Sequence, residues 1–195
     1  MKVLVVLAHP VSGVSFNRAI AETVLRTLRE CGHEPIFCDL YAEQFDPVLV
    51  AGEEKLPIEE LPTAVQEAIR SVSESDGLVF IHPNWWGTPP AILKGWLDRV
   101  FRAGFAYRFS PEGVVHQFTG KTAQVFTTSN TPRDVERDVY HDPLENFWKT
   151  IVFGLTGCKS FERRNFESII MSDEKERKDW LAETEQIIRR RFAGN

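Results

Sequence analysis

The sequence predicts an α/β fold, a five-stranded parallel sheet in the order 2-1-3-4-5 with helices on both faces. Three observations predict it. Short apolar runs, too brief for a helix and too evenly apolar for a sheet facing water, read as buried parallel strands. Each run is followed by a longer segment with apolar residues at helical spacing, and the pair repeats five times, the pattern that winds a parallel sheet. The loop after the first run holds a single glycine, Gly13, where a dinucleotide-binding fold needs G-x-G-x-x-G.

KVLVVLA (2–8) is the first strand. SFNRAIAETVLRTLRECG (15–32) is a helix with Phe16, Ile20, Val24, Leu25 and Leu28 on one face and Gly32 as its stop. HEPIFCDLY (33–41) is the second strand; Pro35 belongs at its start or near an edge, because proline cannot donate to a ladder. Residues 42–61 are acidic and irregular, an excursion within one domain spanning 1–195. TAVQEAIRSVSESD (63–76) is a helix, GLVFIHP (77–83) the third strand, and PAILKGWLDRVFRAG (90–104) a helix with proline in its first turn. TAQVFTTS (122–129) is the fourth strand, PLENFWKTIVFGLTG (143–157) a helix and KSFERRNFES (159–168) the fifth strand. DEKERKDWLAETEQIIRRRF (173–192) is an amphipathic helix whose acidic start and basic end complement its dipole. Five strands alternating with helices suit the flavodoxin-like order.

A chain of 195 residues can bury one sizeable core. Its net charge of −5 argues against nucleic acid as a partner, since phosphate backbones need a basic footprint. Five Trp and fourteen Phe predict an aromatic-lined surface or pocket. Cys31, Cys38 and Cys158 are odd in number and form no C-x-x-C, which suits a reducing cytosol and suggests neither a metal site nor a disulfide framework. No run approaches membrane-spanning length and residues 1–8 lack the apolar stretch of a secretion signal, so the expectation is a soluble cytoplasmic protein.

In open α/β sheets ligands bind beyond the carboxyl ends of the strands, near the switch point. Three long, chemically distinctive loops leave those ends: HPVSGVSFN (9–17), HPNWWGTPPA (82–91) and TTSNTPRDVERDVYHDP (127–143). The first ends at a helix N-terminus carrying Ser15 and Asn17, where free N–H groups, hydroxyls and the positive dipole end form a phosphate seat, with His9 adding a donor. Ser15 reads equally as a plain N-cap. In the second loop Trp85 and Trp86 either pack into the core or flank a flat ligand. In the third, Thr127, Thr128, Ser129 and Asn130 either hold the polar edge of that ligand or are taken up by local turn bonds.

The segments LAHP…SFNRAIAE, PNWWGTPPAILKGWLDRVFRAGFAYRF and the Thr-Thr loop closely resemble the NAD(P)H:quinone oxidoreductase (DT-diaphorase-like) family of flavodoxin-like flavoenzymes, over residues 2–130. The stretch from Trp86 to Tyr107 is the most specific part. The resemblance implies a flavin, FAD or FMN, held on the three loops, two-electron transfer from NAD(P)H, and a homodimer with its active sites at the interface. It puts the flavin phosphates on His9, Ser15, Phe16 and Asn17. The isoalloxazine then lies against Pro83, Asn84, Trp85 and Trp86, with Thr127 and Thr128 on the third loop. Tyr107 and Phe109 match aromatic positions that cover the partner subunit's pocket, so with Trp86 they are the expected substrate contacts. The sequence also departs from the family. Ser129-Asn130 stand in place of a Gly-Gly pair, the family's catalytic tyrosine position falls on Val135, and its histidine position falls on His141, beside Tyr140. These departures bear on acceptor specificity more than on the flavin.

The leading expectation is therefore a flavin oxidoreductase passing two electrons from NAD(P)H to a quinone or similar flat acceptor by a ping-pong mechanism, with His141 or Tyr140 supplying the proton. His141 reads equally as a cap for the helix near Pro143. A second expectation is a flavin-binding ancillary subunit of a potassium-efflux transporter. A phospho-receiver domain is set aside, because the strand ends where it needs acidic residues hold Ala8-His9 and His82-Pro83.

Overall fold

β1 (Lys2–Leu7), β2 (Glu34–Asp39), β3 (Gly77–Pro83), β6 (Thr122–Thr128) and β7 (Ser160–Phe166) pair in parallel in the order β2-β1-β3-β6-β7. With the separate hairpin β4 (Tyr107–Ser110) and β5 (Gly113–His116) set aside, this is the 2-1-3-4-5 order expected from sequence. The computed structural model describes residues 1–11 and 13–193. The helices are α1 (Phe16–Glu30), α2 (Thr63–Glu74), α3 (Ala91–Val100), α4 and α5 (Glu174–Arg191). α4 opens at Pro143–Glu145, runs π-helical over Asn146–Phe153 and closes at Gly154–Thr156.

Because side chains alternate across a strand, the unbroken apolar runs feed two cores at once. Leu4, Val6, Leu78, Phe80, Ala123 and Val125 face α2, α3 and α4, where they meet Val65, Ile69, Trp96 and Trp148. Val3, Val5, Leu7, Val79, Ile81 and Phe126 face α1 and α5, where they meet Ile20, Val24, Leu28, Ile187 and Ile188. Phe192, just past α5, lies over Gly77 at the start of β3; a Cβ on that glycine would collide with its ring.

The acidic excursion is held by buried charge. Arg99 on α3 makes a two-pronged contact with Glu53, Nε to Oε1 at 2.7 Å and Nη2 to Oε2 at 2.9 Å, with both side chains buried. Arg102 donates to the carbonyls of Glu53, Glu54 and Leu56. The acidic, irregular excursion is thus fastened to a helix of the core.

Two features depart from the sequence expectation. The segment between α3 and β6 folds as the β4–β5 hairpin, whose four-residue strands are too short and exposed to show a buried alternation. The helix expected over 143–157 is π-helical through its middle, a wider ladder that recurs near functional sites. Among the described residues no helix is long and apolar enough to cross a membrane.

Candidate active site

The carboxyl ends of β1, β3 and β6 open into a cleft of about 780 Å³, lined from all three predicted loops. This volume is within the range of cofactor and ligand sites.

The α1 side supplies donors. Ser15 is the N-cap, and its Oγ accepts from the Arg18 N–H at 3.2 Å. The cap reading holds for its side chain, and Ser15 does not line the cleft, which corrects its expected place among the cofactor contacts. The first N–H groups of the helix, on Phe16 and Asn17, have no intrahelical acceptor by construction and point out of the positive end. Asn17 is 4% exposed and donates through Nδ2 to Thr128 Oγ1 at 2.9 Å, bridging α1 to the end of β6. Its Oδ1 is buried with no hydrogen-bond partner among the described residues. His9 accepts the Val11 N–H on Nδ1 at 3.2 Å, which leaves Nε2–H as a donor. Burial pushes its pKa below the usual imidazole value, so it acts as a neutral donor.

The second wall is a tight turn. Trp85 and Thr88 exchange backbone hydrogen bonds at 3.1 Å, and the central residues Trp86 and Gly87 have φ of 56° and 71°. Two positive φ values define the primed hairpin turn that prefers Asn-Gly. A Cβ on Gly87 would lie 2.7 Å from Pro143 Cγ, so the position needs glycine twice over. Trp86 fits this turn poorly: a bulky side chain in left-handed backbone costs about 1–3 kcal/mol. It also gains no burial, being fully exposed, while Trp85 is 42% exposed. The core reading of the tryptophan pair is therefore wrong. The indole of Trp86 is thus held out in water on the lip of the cleft.

The third wall comes from β6 and the loop after it. Thr128, Ser129 and Asn130 line the cleft. Thr127 does not: its Oγ1 donates to Asn165 Oδ1 at 2.7 Å and accepts from Arg163 at 3.2 Å. Alternation at the strand end sends Thr128 toward Asn17 and Thr127 toward β7, which corrects its expected role as a cofactor contact. Asn130 accepts the Ile170 N–H, while Ile169 lines the cleft. Pro83, Asn84 and Phe16 line it as expected. His82 lies beneath it, fully buried, with Nε2 accepting from Trp148 Nε1 at 3.0 Å and its pKa lowered by burial to about 4.

Of the two candidate proton donors, the structure brings Tyr140 to the cleft and leaves His141 exposed in left-handed backbone (φ 58°) outside its lining. Asp142, not His141, caps α4, its Oδ1 accepting the Glu145 N–H at 3.2 Å. Tyr107 and Phe109 stand edge to face on β4, 5.5 Å apart, and do not line this chain's own cleft. Sequence reasoning missed Glu136, 3% exposed at the cleft floor in a π-helical turn, Val135–Val139. It is one of five acids between residues 134 and 145, and no sequence signal separates it from the others.

Fold and site together define a class: a doubly wound α/β protein with a strand-end cleft lined by the start of α1, two tryptophans and the polar loop after β6. Comparison with known proteins narrows it. The chain belongs to the family described by its flavodoxin-like fold, whose model matches residues 1–190. An NAD(P)H oxidoreductase of Haemophilus influenzae, itself uncharacterised, is 33% identical over 182 residues, covering 91% of this chain and 89% of its relative. NAD(P)H dehydrogenase (quinone) 1 of Cavia porcellus is 33% identical over 147 residues, 66% of this chain and 53% of that enzyme, so the match spans about half its length. Among solved structures, Smu.1420 of Streptococcus mutans superposes with a TM-score of 0.86 at 34% identity, covering 97% of this chain and all of the other. The NAD(P)H:quinone oxidoreductase of Methanothermobacter marburgensis gives 0.86 at 27% identity, covering 97% and 98%.

Proposed function

We propose that the protein is a flavin-dependent oxidoreductase that passes two electrons from NAD(P)H to a quinone or similar flat acceptor. The relatives' activities support the reaction class. The observation that carries the flavin reading is Asn17: a buried side chain with an orphaned Oδ1, beside free helix N–H groups, in a cleft lipped by two indoles. An orphaned buried acceptor costs about 1–3 kcal/mol unless a ligand donates to it.

When bound, a flavin supplies the two-electron redox chemistry that side chains lack. The protein's share is placement. The N–H groups of Phe16 and Asn17, with His9 Nε2–H, bind a phosphate. Trp85 and Trp86 exclude water from one side of the ring, and Asn84, Ser129 and Asn130 face its polar edge. The Tyr140 hydroxyl, at the cleft wall, holds the proton that a reduced acceptor needs. One cleft must serve nicotinamide and acceptor in turn, so the kinetics are ping-pong. In a homodimer, Tyr107 and Phe109 cover the partner's cleft.

The test is titration of flavin-free protein with FAD and with FMN, followed by anaerobic reduction with NADH and NADPH and reoxidation with a quinone. The expected result is tight uptake of one flavin and full turnover. Failure to bind either flavin removes the reading. Tight binding without turnover would remove the oxidoreductase activity while leaving the cofactor assignment.

A further inference from the structure

Glu136 is a buried carboxylate that forms no ion pair among the described residues, although Arg133, Arg137, Arg163 and Arg164 line a pocket on its other side. Its Oε1 accepts from Asn84 Nδ2 at 2.8 Å and its Oε2 from Ser129 Oγ at 3.2 Å. The partners fix the polarity of the whole chain of bonds. Asn84 Oδ1 accepts the Gly87 N–H at 3.0 Å, so the amide orientation is set and Nδ2 faces the carboxylate. Ser129 Oγ accepts the Thr131 N–H at 3.0 Å, so its own proton is free to point at Glu136. Both carboxylate oxygens therefore receive hydrogens, and the pattern is that of an ionised group. One end of this network is the turn that carries Trp85 and Trp86, and the other is the loop that leaves β6. Arg163, which lines that second, smaller pocket together with Glu136, is already engaged by Asp142 and Glu145.

We propose that Glu136 is the positioning residue of the cleft, an ionised strut that locks the indole turn to the β6 loop and sets a buried negative charge beside the bound ring. The second half rests on the flavin reading; the first stands on the protein alone. Both follow from one geometry. A carboxylate joined to two neutral donors ties two loops together and keeps its full charge, and that charge opposes the gain of electrons by a group bound against it.

The experiment compares wild type, Glu136→Gln and Glu136→Ala. In flavin-free protein, amide hydrogen exchange at Gly87 and Thr131 should quicken by about tenfold or more in Glu136→Ala, the scale of losing hydrogen bonds to a charged group, while the β1, β3 and β6 amides keep their protection. Glu136→Gln keeps an acceptor for Asn84 and should restore slow exchange at Gly87. With FMN or FAD bound, equilibration against a reference dye should show a more positive reduction potential in Glu136→Gln than in wild type. Unchanged exchange at Gly87 and Thr131 in Glu136→Ala, or equal loss of protection through the sheet, overturns the strut. A potential equal to wild type in Glu136→Gln overturns the role of the charge. Absence of flavin uptake by wild type removes the charge half together with the flavin reading, while the exchange measurement still decides the strut.

Discussion

Asn17 links the sheet to the ligand, and its replacement separates binding from chemistry. Asn17→Ala removes the bridge to Thr128 and the buried Oδ1 that a ligand donor would satisfy, while keeping the backbone N–H. Flavin affinity should fall by up to about one decade, the scale of one neutral hydrogen bond. Fluorescence titration checks this; unchanged affinity with slowed turnover would move Asn17 from the binding set to the reacting set. His82 carries a pH prediction. Its imidazole is buried with a pKa near 4, against 6.5 in the unfolded chain, so below pH 6.5 the unfolded state binds the extra proton. Stability is complete above pH 6.5, falls as pH drops toward 4, and levels off once the native imidazole also protonates. The full loss is about 3 kcal/mol. His9 shifts in the same direction. Urea unfolding across this window should show the decline in wild type and a shallower one in His82→Gln, whose amide oxygen can still accept from Trp148. A wild-type to variant difference that does not change with pH would mean that His82 keeps one protonation state. At this scale the sequence was partly legible. Asn17 could be placed at the cleft from its position at a helix N-terminus, whereas the tryptophan pair, read either as core or as ligand-facing, needed its exposure to be seen. Thr127 was grouped with its loop neighbours, in sequence and through the resemblance, while strand alternation turns its side chain to Asn165 and Arg163 instead. Glu136 was invisible because burial, not residue type, distinguishes it from its acidic neighbours.

Among the elements, the excursion and α3 are coupled through Arg99 and Glu53. Breaking a buried pair leaves one charge uncompensated, which costs about 3–5 kcal/mol, whereas neutralising both partners restores much of it. Arg99→Met should lower the unfolding free energy measured in urea by that scale, and adding Glu53→Gln should recover a large part. A double variant no more stable than the single one would show that Arg99 matters for its carbonyl contact to Asp46 rather than for the ion pair. The five sheet strands and the α-helices could be read from the chain because each buries an apolar run or stripe. The hairpin could not: β5 is exposed along its whole length, so no burial pattern marks it. The π-helical middle of α4 was equally hidden, since a widened ladder leaves the spacing of Phe147, Trp148 and Phe153 compatible with an ordinary helix.

For the whole molecule, topology was the most legible property, because alternation of strands and helices leaves few ways to wind a sheet. Assembly state was not, since the sequence marks apolar residues without saying which remain uncovered. Phe109 is 73% exposed on the hairpin, and Ile151 on α4 is 53% exposed. The homodimer expectation gives these residues a partner. Sedimentation of wild type should report a dimer at assay concentration, and Phe109→Asp should shift it toward monomer with loss of turnover. A fully active wild-type monomer would refute the shared site.

The contact of Phe192 with Gly77 has a consequence for biosynthesis. β1, α1 and β3 leave the ribosome early, but the helix that covers much of their shared apolar face, and the ring that seats on the central strand, are translated long afterwards. For most of translation the nascent chain carries that face bare. A stalled chain that stops short of Glu174 should be a client for chaperones that bind exposed apolar strands, and release from them should coincide with the emergence of Phe192.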